Sequence, residues 1–389
     1  MVLTRTSLLG LGLLATIGLS SLQAQTEERL TKPEATFPEG FALIQGVREL
    51  EDGRVMVADP LGQVVLIADM NAGTADTIGG VGQGPGEYRQ PDVVFALPGD
   101  KSLLVDLGNA RLTVIGPDGS FGETLPIAQG APGPGGGLVI VLPRGVDSEG
   151  RLYFRPFGGG PGRGLPDSAS VVRFNRASGA MDTIVRVKLP DMKQSTSGGA
   201  GNQNIRISPI PLSSEDAWAV GWNGRVAVAR SSDYHVEWID PDGKVVRGEP
   251  VEYKPVKITQ ADKEEWAESL SNGLRIGISI ENGDRRVSFG RGGGSGSPDL
   301  DSYDWPKTKP AFVTNGVWVT PEGDMWVRRS VPAGEPNQFD VFGANAQLKG
   351  KVTLPTGRDI VGFGRGTVYV IQTDDLGLQW LERYKRSAT

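Results

Sequence analysis

The sequence contains no cysteine and a single histidine, His235. Without cysteine there can be no disulfide, no lipid-modified cysteine at the N-terminus and no thiolate chemistry. One histidine excludes a multi-histidine metal centre within one chain and leaves His235 as the only base for a Ser-His-Asp system. No G-x-S-x-G elbow and no G-x-x-x-x-G-K-[ST] loop occurs, and no glycine-rich stretch spells G-x-G-x-x-G after a strand. An excess of positive charge is missing too. Forty Lys and Arg against 46 Asp and Glu leave a net charge of −6. Nucleic acid is thereby disfavoured as a partner, since it requires a basic stripe.

Long apolar runs are confined to the N-terminus. Arg5 precedes residues 7–22 (SLLGLGLLATIGLSSL), and Leu22-Gln23-Ala24 offers a small residue at a cleavage point. That stretch is short for a membrane span and has the layout of an export signal over residues 1–24, with an uncleaved anchor as the alternative. A periplasmic or secreted protein is expected, with no integral span once the signal is removed.

What the sequence has in quantity is glycine, 56 residues, and proline, 27, spread along the chain. They punctuate a repeat: short apolar strand, glycine turn, second strand, polar loop, third strand, second glycine turn, fourth strand. Gly53 and Gly73 lie 20 residues apart, as do Gly99 and Gly119. The first turn returns at Gly150, Gly224, Gly323 and Gly366, which makes six units. Each small antiparallel sheet is too small to survive alone, and radial stacking buries its faces while leaving only short edges. Val55 and Val57, like Val226 and Val228, alternate as one face of such a strand. The expected fold is all-β, a six-bladed β-propeller of four-stranded antiparallel sheets over residues 35–389, after a linker at 25–34. The sixth unit stops after its third strand, and residues 35–44 are expected to supply the fourth.

The spacing stretches in the middle of the chain. Residues 157–166 and 195–203 are insertions, and the largest, 254–310, falls between blades four and five. It contains an expected helix over 260–270, capped by Thr259. Insertions on a regular repeat tend to decorate a binding face.

Residues 78–91 (IGGVGQGPGEYRQP) and 102–121 (SLLVDLGNARLTVIGPDGSF) resemble the NHL-type propeller repeat. The resemblance rests on Gly82, Gly84, Gly86, Tyr88, Pro91, Asp106, Gly108-Asn109, Arg111 and Pro117-Asp118-Gly119. It implies the six-bladed fold, in the manner of bacterial exported propellers. Some NHL-related propellers are lyases or lactonases that use histidine or a divalent cation in the central channel, but one fold hosts unrelated activities.

Superposing the units places Asp59, Asp106, Arg155, Arg230, Arg328 or Arg329, and Gln372 at the ends of the second strands, as a ring at the channel rim. Three consecutive arginine-bearing blades would suit a carboxylate, sulfate or phosphate, because each guanidinium donates two parallel hydrogen bonds. The alternative is that Asp59 and Asp106 bond to nearby loop backbone and the arginines pair with them. Asp299, Asp301 and Asp304 give three oxygen ligands in six residues for calcium, without the glycine and glutamate of an EF-hand loop. No other cofactor is indicated. His235 is expected as a partly exposed strand residue sharing a face with Glu237. Trp266 and Trp305 are the candidate anchors for a partner on the large insertion, with structural packing of that insertion as the alternative. Lacking catalytic groups, the sequence favours a non-catalytic module binding a protein, peptide, glycan or small anion at the channel face. A calcium-dependent hydrolase or lyase is the alternative.

Overall fold

The computed structural model describes residues 26–130, 138–156, 166–197, 204–271, 273–281, 284–291 and 298–387. The expected export signal lies outside the described residues. So do 157–165 and 198–203, most of two expected insertions.

Six antiparallel sheets form, each following chain order outward from its innermost strand. Blade one comprises Val47–Glu49, Val55–Asp59, Val64–Asp69 and Thr74–Thr77. Blade two comprises Pro91–Leu97, Lys101–Asp106, Arg111–Ile115 and Phe121–Pro126. Blade three runs through Gly145–Val146, Leu152–Phe154, Ser168–Phe174 and Met181–Lys188, and blade four through Ala217–Val220, Val226–Arg230, His235–Ile239 and Val245–Arg247. Blade five holds Phe312–Val319, Met325–Arg329, Gln338–Phe342 and Leu348–Thr353. Blade six has Arg358–Gly364, Thr367–Thr373 and Gln379–Lys385, and takes its outer strand, Ala35–Phe41, from the N-terminal end of the described chain. That expected exchange closes the ring. Segment 25–34, expected as a linker, instead carries a strand: Thr26–Arg29 adds in parallel to the outer edge of blade five. Its exposed TEER sequence gave no apolar alternation by which to recognise a strand.

The ring is visible in its core. The six largest clusters of buried apolar side chains correspond one to one with the six blade interfaces. Alternation along each strand produces this, because neighbouring side chains point to opposite faces. Val55 and Val57 pack toward blade six, while Met56 and Ala58 pack toward blade two. Val226 and Val228 face blade three; Ala227 and Ala229 face blade five. At the hub the blades crowd. A Cβ on Gly46 would sit 2.8 Å from Val93, and one on Gly362 would sit 2.7 Å from Val47, so only glycine fits.

Strand direction sorts the connections by face. The tight glycine turns between first and second, and third and fourth, strands all lie on one face. All blade-to-blade crossovers leave from the other. Among the described residues the insertions therefore elaborate a single face: the hairpins Ala128–Gly130 with Leu138–Ile140, Met192–Ser197 with Asn204–Pro209, and Leu274–Glu281 with Asp284–Arg291. The first of these, between blades two and three, was not anticipated from the sequence.

The helix Gln260–Ser269 forms where expected, with a reciprocal capping box between Thr259 and Asp262. Asp262 also accepts from the Ala333 amide at 2.9 Å and pairs with Lys309 at 2.6 Å, so one buried carboxylate fastens the insertion to blade five. The NHL-like residues of blade two prove to be a folding device. Glu87 accepts from the Gly84 amide, the Tyr88 hydroxyl donates to the Ile78 carbonyl, and Arg111 donates to the carbonyls of Gln83, Gly84 and Glu87. A Cβ on Gly82 would displace the Glu87 carboxylate from the place where it accepts from the Gly84 amide.

Candidate functional site

The innermost strands enclose a channel of about 1120 Å³ along the axis. Its wall carries charged groups at both ends, Glu49, Glu51, Asp100 and Arg365 by the glycine turns and Asp92, Arg144, Arg155 and Arg291 at the insertion-bearing end, with apolar side chains between. The residues that reach that mouth stand just before or at the start of the innermost strands. Arg144 precedes Gly145–Val146 and Asp92 is the second residue of the inner strand of blade two; Glu215, just before Ala217–Val220, stands close enough to interact electrostatically with Arg144 and Arg155.

Arg144 reaches into the channel and is exposed to its open space, with its guanidinium 5.7 Å from the centre of the Trp218 ring. Its Nη2 donates to the Thr314 carbonyl at 3.3 Å. Desolvation by the surrounding channel walls, and then the nearby positive charge of Arg155, lower its pKa to about 10, with Glu215 opposing. Arg155 lines the same space from the end of the second strand of blade three. It makes no hydrogen bond or close ion pair with the described residues, and it interacts electrostatically with Arg144 and Glu215. Glu215 is half-buried. Burial raises its pKa, while the Thr314 hydroxyl, Arg155, Arg144 and Lys188 pull the other way. Two arginines thus face one acid.

The long hairpin Leu274–Arg291 brings residues from the large insertion to this mouth. Leu274 and Arg291 line the channel, and Arg291 pairs with Asp92, which is 3% exposed. Gln90 clamps the hairpin: its amide oxygen accepts from the Arg291 amide at 3.1 Å, and its nitrogen donates to the Arg291 carbonyl at 3.2 Å. An arm rooted between blades four and five is thereby tied to blade two.

Of the rim residues expected from the sequence, Arg155 alone lines the channel. Asp59 is buried and accepts from the amides of Ala42, Leu43, Leu61 and Gly62. Asp106 accepts from the amides of Arg89, Gln90 and Asn109 and from the Asn109 side chain. Arg230 is held by Asp216 at 2.9 Å and Glu237 at 2.7 Å, Arg328 by Asp359 at 2.9 Å, and Arg329 by Asp340 at 3.4 Å. Gln372 accepts from Arg358 at 2.7 Å. The expected ring does not assemble, because the second strand lies one strand spacing, about 4.8 Å, outward from the axis. The positions that converge are one strand further in.

Asp299, Asp301 and Asp304 do not converge. Asp299 caps a short 3-10 turn by accepting from the Asp301 amide, and Asp304 pairs with Lys193 of the neighbouring hairpin. Among the described residues no group of three or more His, Asp or Glu is placed to hold a metal ion. Trp266 and Trp305 are half-buried against each other, 5.3 Å apart edge to face, with Tyr303 completing the cluster. His235, expected to be partly exposed, is 2% exposed and sits between Asp233 at 2.5 Å and Glu237 at 3.3 Å. The loop before blade four's third strand folds Asp233 over the ring, which strand alternation alone does not reveal.

No protein-family model and no curated protein sequence matches the chain. Solved structures similar to it include a calcium-binding protein, regucalcin, from Agrobacterium tumefaciens. It is 11% identical, with 93% of this chain and 97% of that one covered and a TM-score of 0.41. A PQQ-bound aldose sugar dehydrogenase from Streptomyces coelicolor is 13% identical, covering 91% and 98%, with a TM-score of 0.41. A gluconolactonase from Xanthomonas campestris is 12% identical, covering 92% and 94%, with a TM-score of 0.38. The fold itself rests on the strand pairing described above.

Proposed function

We propose that the protein is an exported, non-catalytic propeller that binds a small anionic ligand in the mouth of its central channel. The observation that supports this is the pair Arg144 and Arg155, facing one space with Glu215 as their nearby counter-charge. A carboxylate between them would accept charge-assisted hydrogen bonds from two forked donors and relieve their mutual repulsion. Such a binder needs no nucleophile or base, which suits a chain whose lone histidine is enclosed by two carboxylates. Export is supported by the N-terminal sequence, and no helix among the described residues is long and apolar enough to cross a membrane.

The test is a melting-temperature screen of the chain from residue 25 against organic acids, sulfate and phosphate. At least one anion should raise the melting temperature at millimolar concentration, and Arg155→Ala should remove the shift. No shift with any anion, or an undiminished shift in the variant, overturns the reading.

A further inference from the structure

The anion reading leaves most of the channel unused. Below the charged mouth, the wall is built by Val47, Phe95, Val317, Trp318, Val361 and Phe363, from blades one, two, five and six. Phe95, Trp318 and Phe363 are only half-buried, although each lies on an innermost strand. The inner strand of blade two is 7 residues long. At about 3.3 Å per residue, that is a path of about 23 Å from face to face. The molecule therefore holds a tunnel with aromatic walls and a cationic end. Binding pockets generally combine such apolar lining with a few polar groups that fix orientation.

Resting on the anion reading, we propose that the ligand is a monoanionic amphipathic acid, its carboxylate between Arg144 and Arg155 and its alkyl or aryl body in the apolar waist. Charge supports a single negative charge. Arg291 and Asp92 neutralise each other, as do Lys188 and Asp191, and Arg144 and Arg155 against Glu215 leave one net positive charge. A carboxylate balances that charge, whereas a phosphate dianion overshoots it beside the Glu215 carboxylate. Arg144 also lies over the Trp218 ring, which brings the cation to the edge of the apolar wall. Head and body are thus recognised at adjoining points along one axis.

The experiment is calorimetric titration of the full mature chain with acetate, hexanoate, decanoate and decan-1-ol, each below its micelle concentration. Affinity should climb from acetate to decanoate by up to fourfold per methylene, the value for complete burial. Decanol should bind at least tenfold more weakly than decanoate. Arg144→Gln, or Arg155→Gln if the first does not fold, should bring decanoate down to the level of decanol. Phe95→Ala should flatten the dependence on chain length. Acids of all lengths binding equally, with loss in the arginine variants, would overturn the amphipathic ligand and leave the anion reading standing. Decanol binding as well as decanoate would overturn both, and no acid binding at all would overturn the amphipathic acid and leave the anion reading to the sulfate and phosphate arms of the melting screen.

Discussion

Glu215 shows how one side chain can set the charge of the mouth. Burial raises its pKa against the pull of Thr314, Arg155, Arg144 and Lys188, so it takes up its proton at a higher pH than an exposed glutamate. As pH falls through that raised pKa, the mouth loses its nearby negative charge while both arginines stay ionised. Affinity for benzenesulfonate, ionised throughout, should therefore rise by roughly three- to tenfold between pH 7 and pH 4. Glu215→Gln should fix it at the low-pH level, and a titration with equal affinities at both pH values would refute this. Asp106 has the opposite role, purely architectural. Its carboxylate is fully buried and satisfies three backbone amides. Asp106→Ala strands those donors and should cost about 2–4 kcal/mol in urea unfolding, with anion affinity per folded molecule unchanged. A loss below about 1 kcal/mol would contradict it. The sequence placed Asp106 at the correct loop and offered it two roles, because a carboxylate bonded to backbone and one facing a ligand look alike as letters; the hydrogen bonds select the backbone role.

The element most dependent on one residue is the large insertion. Burial alone would raise the Asp262 pKa, but hydrogen bonds from Lys309 and Thr259 overcome it and hold the pKa at about 2. A carboxyl depressed on folding stabilises above its unfolded pKa, and that stability is lost as pH falls through the folded value. The insertion should therefore loosen between about pH 4 and pH 2, losing on the order of 1–2 kcal/mol of local stability. Asp262→Asn should speed amide exchange in the helix Gln260–Ser269 at neutral pH and leave the blade amides protected. Equal protection in variant and parent would rule this out. The helix itself was legible from Thr259 and its polar first turn. Its attachment was not, since Ala333 and Lys309 are distant in sequence and meet Asp262 only once blade five has folded. Trp266 and Trp305 make the same point: an exposed anchor and a half of an aromatic pair cannot be told apart until the two rings are seen in contact, with Tyr303 beside them.

Across the whole molecule, the ring was readable because glycine turns and two-residue alternation are local signals that repeat. The closing strand followed from a count, since the sixth unit lacked a fourth strand. Phe37 on that strand is 1% exposed and packs 5.8 Å from Phe41 in the cluster joining blades six and one. Phe37→Ala should cost about 3–5 kcal/mol and lower the melting temperature of the entire disc in one transition. Separate melting of blade six would contradict a cooperative ring. The channel mouth was not readable, because Arg144, Glu215 and Arg291 lie at unequal distances from the repeating turns and are gathered by an axis that no single blade contains. The direct measurement is anomalous diffraction from crystals soaked in bromide, which reports the anion site and the ring together. A six-bladed disc with a bromide peak between the guanidinium groups of Arg144 and Arg155 is the predicted result. A channel mouth without bromide, in crystals that bind it elsewhere, would contradict the account.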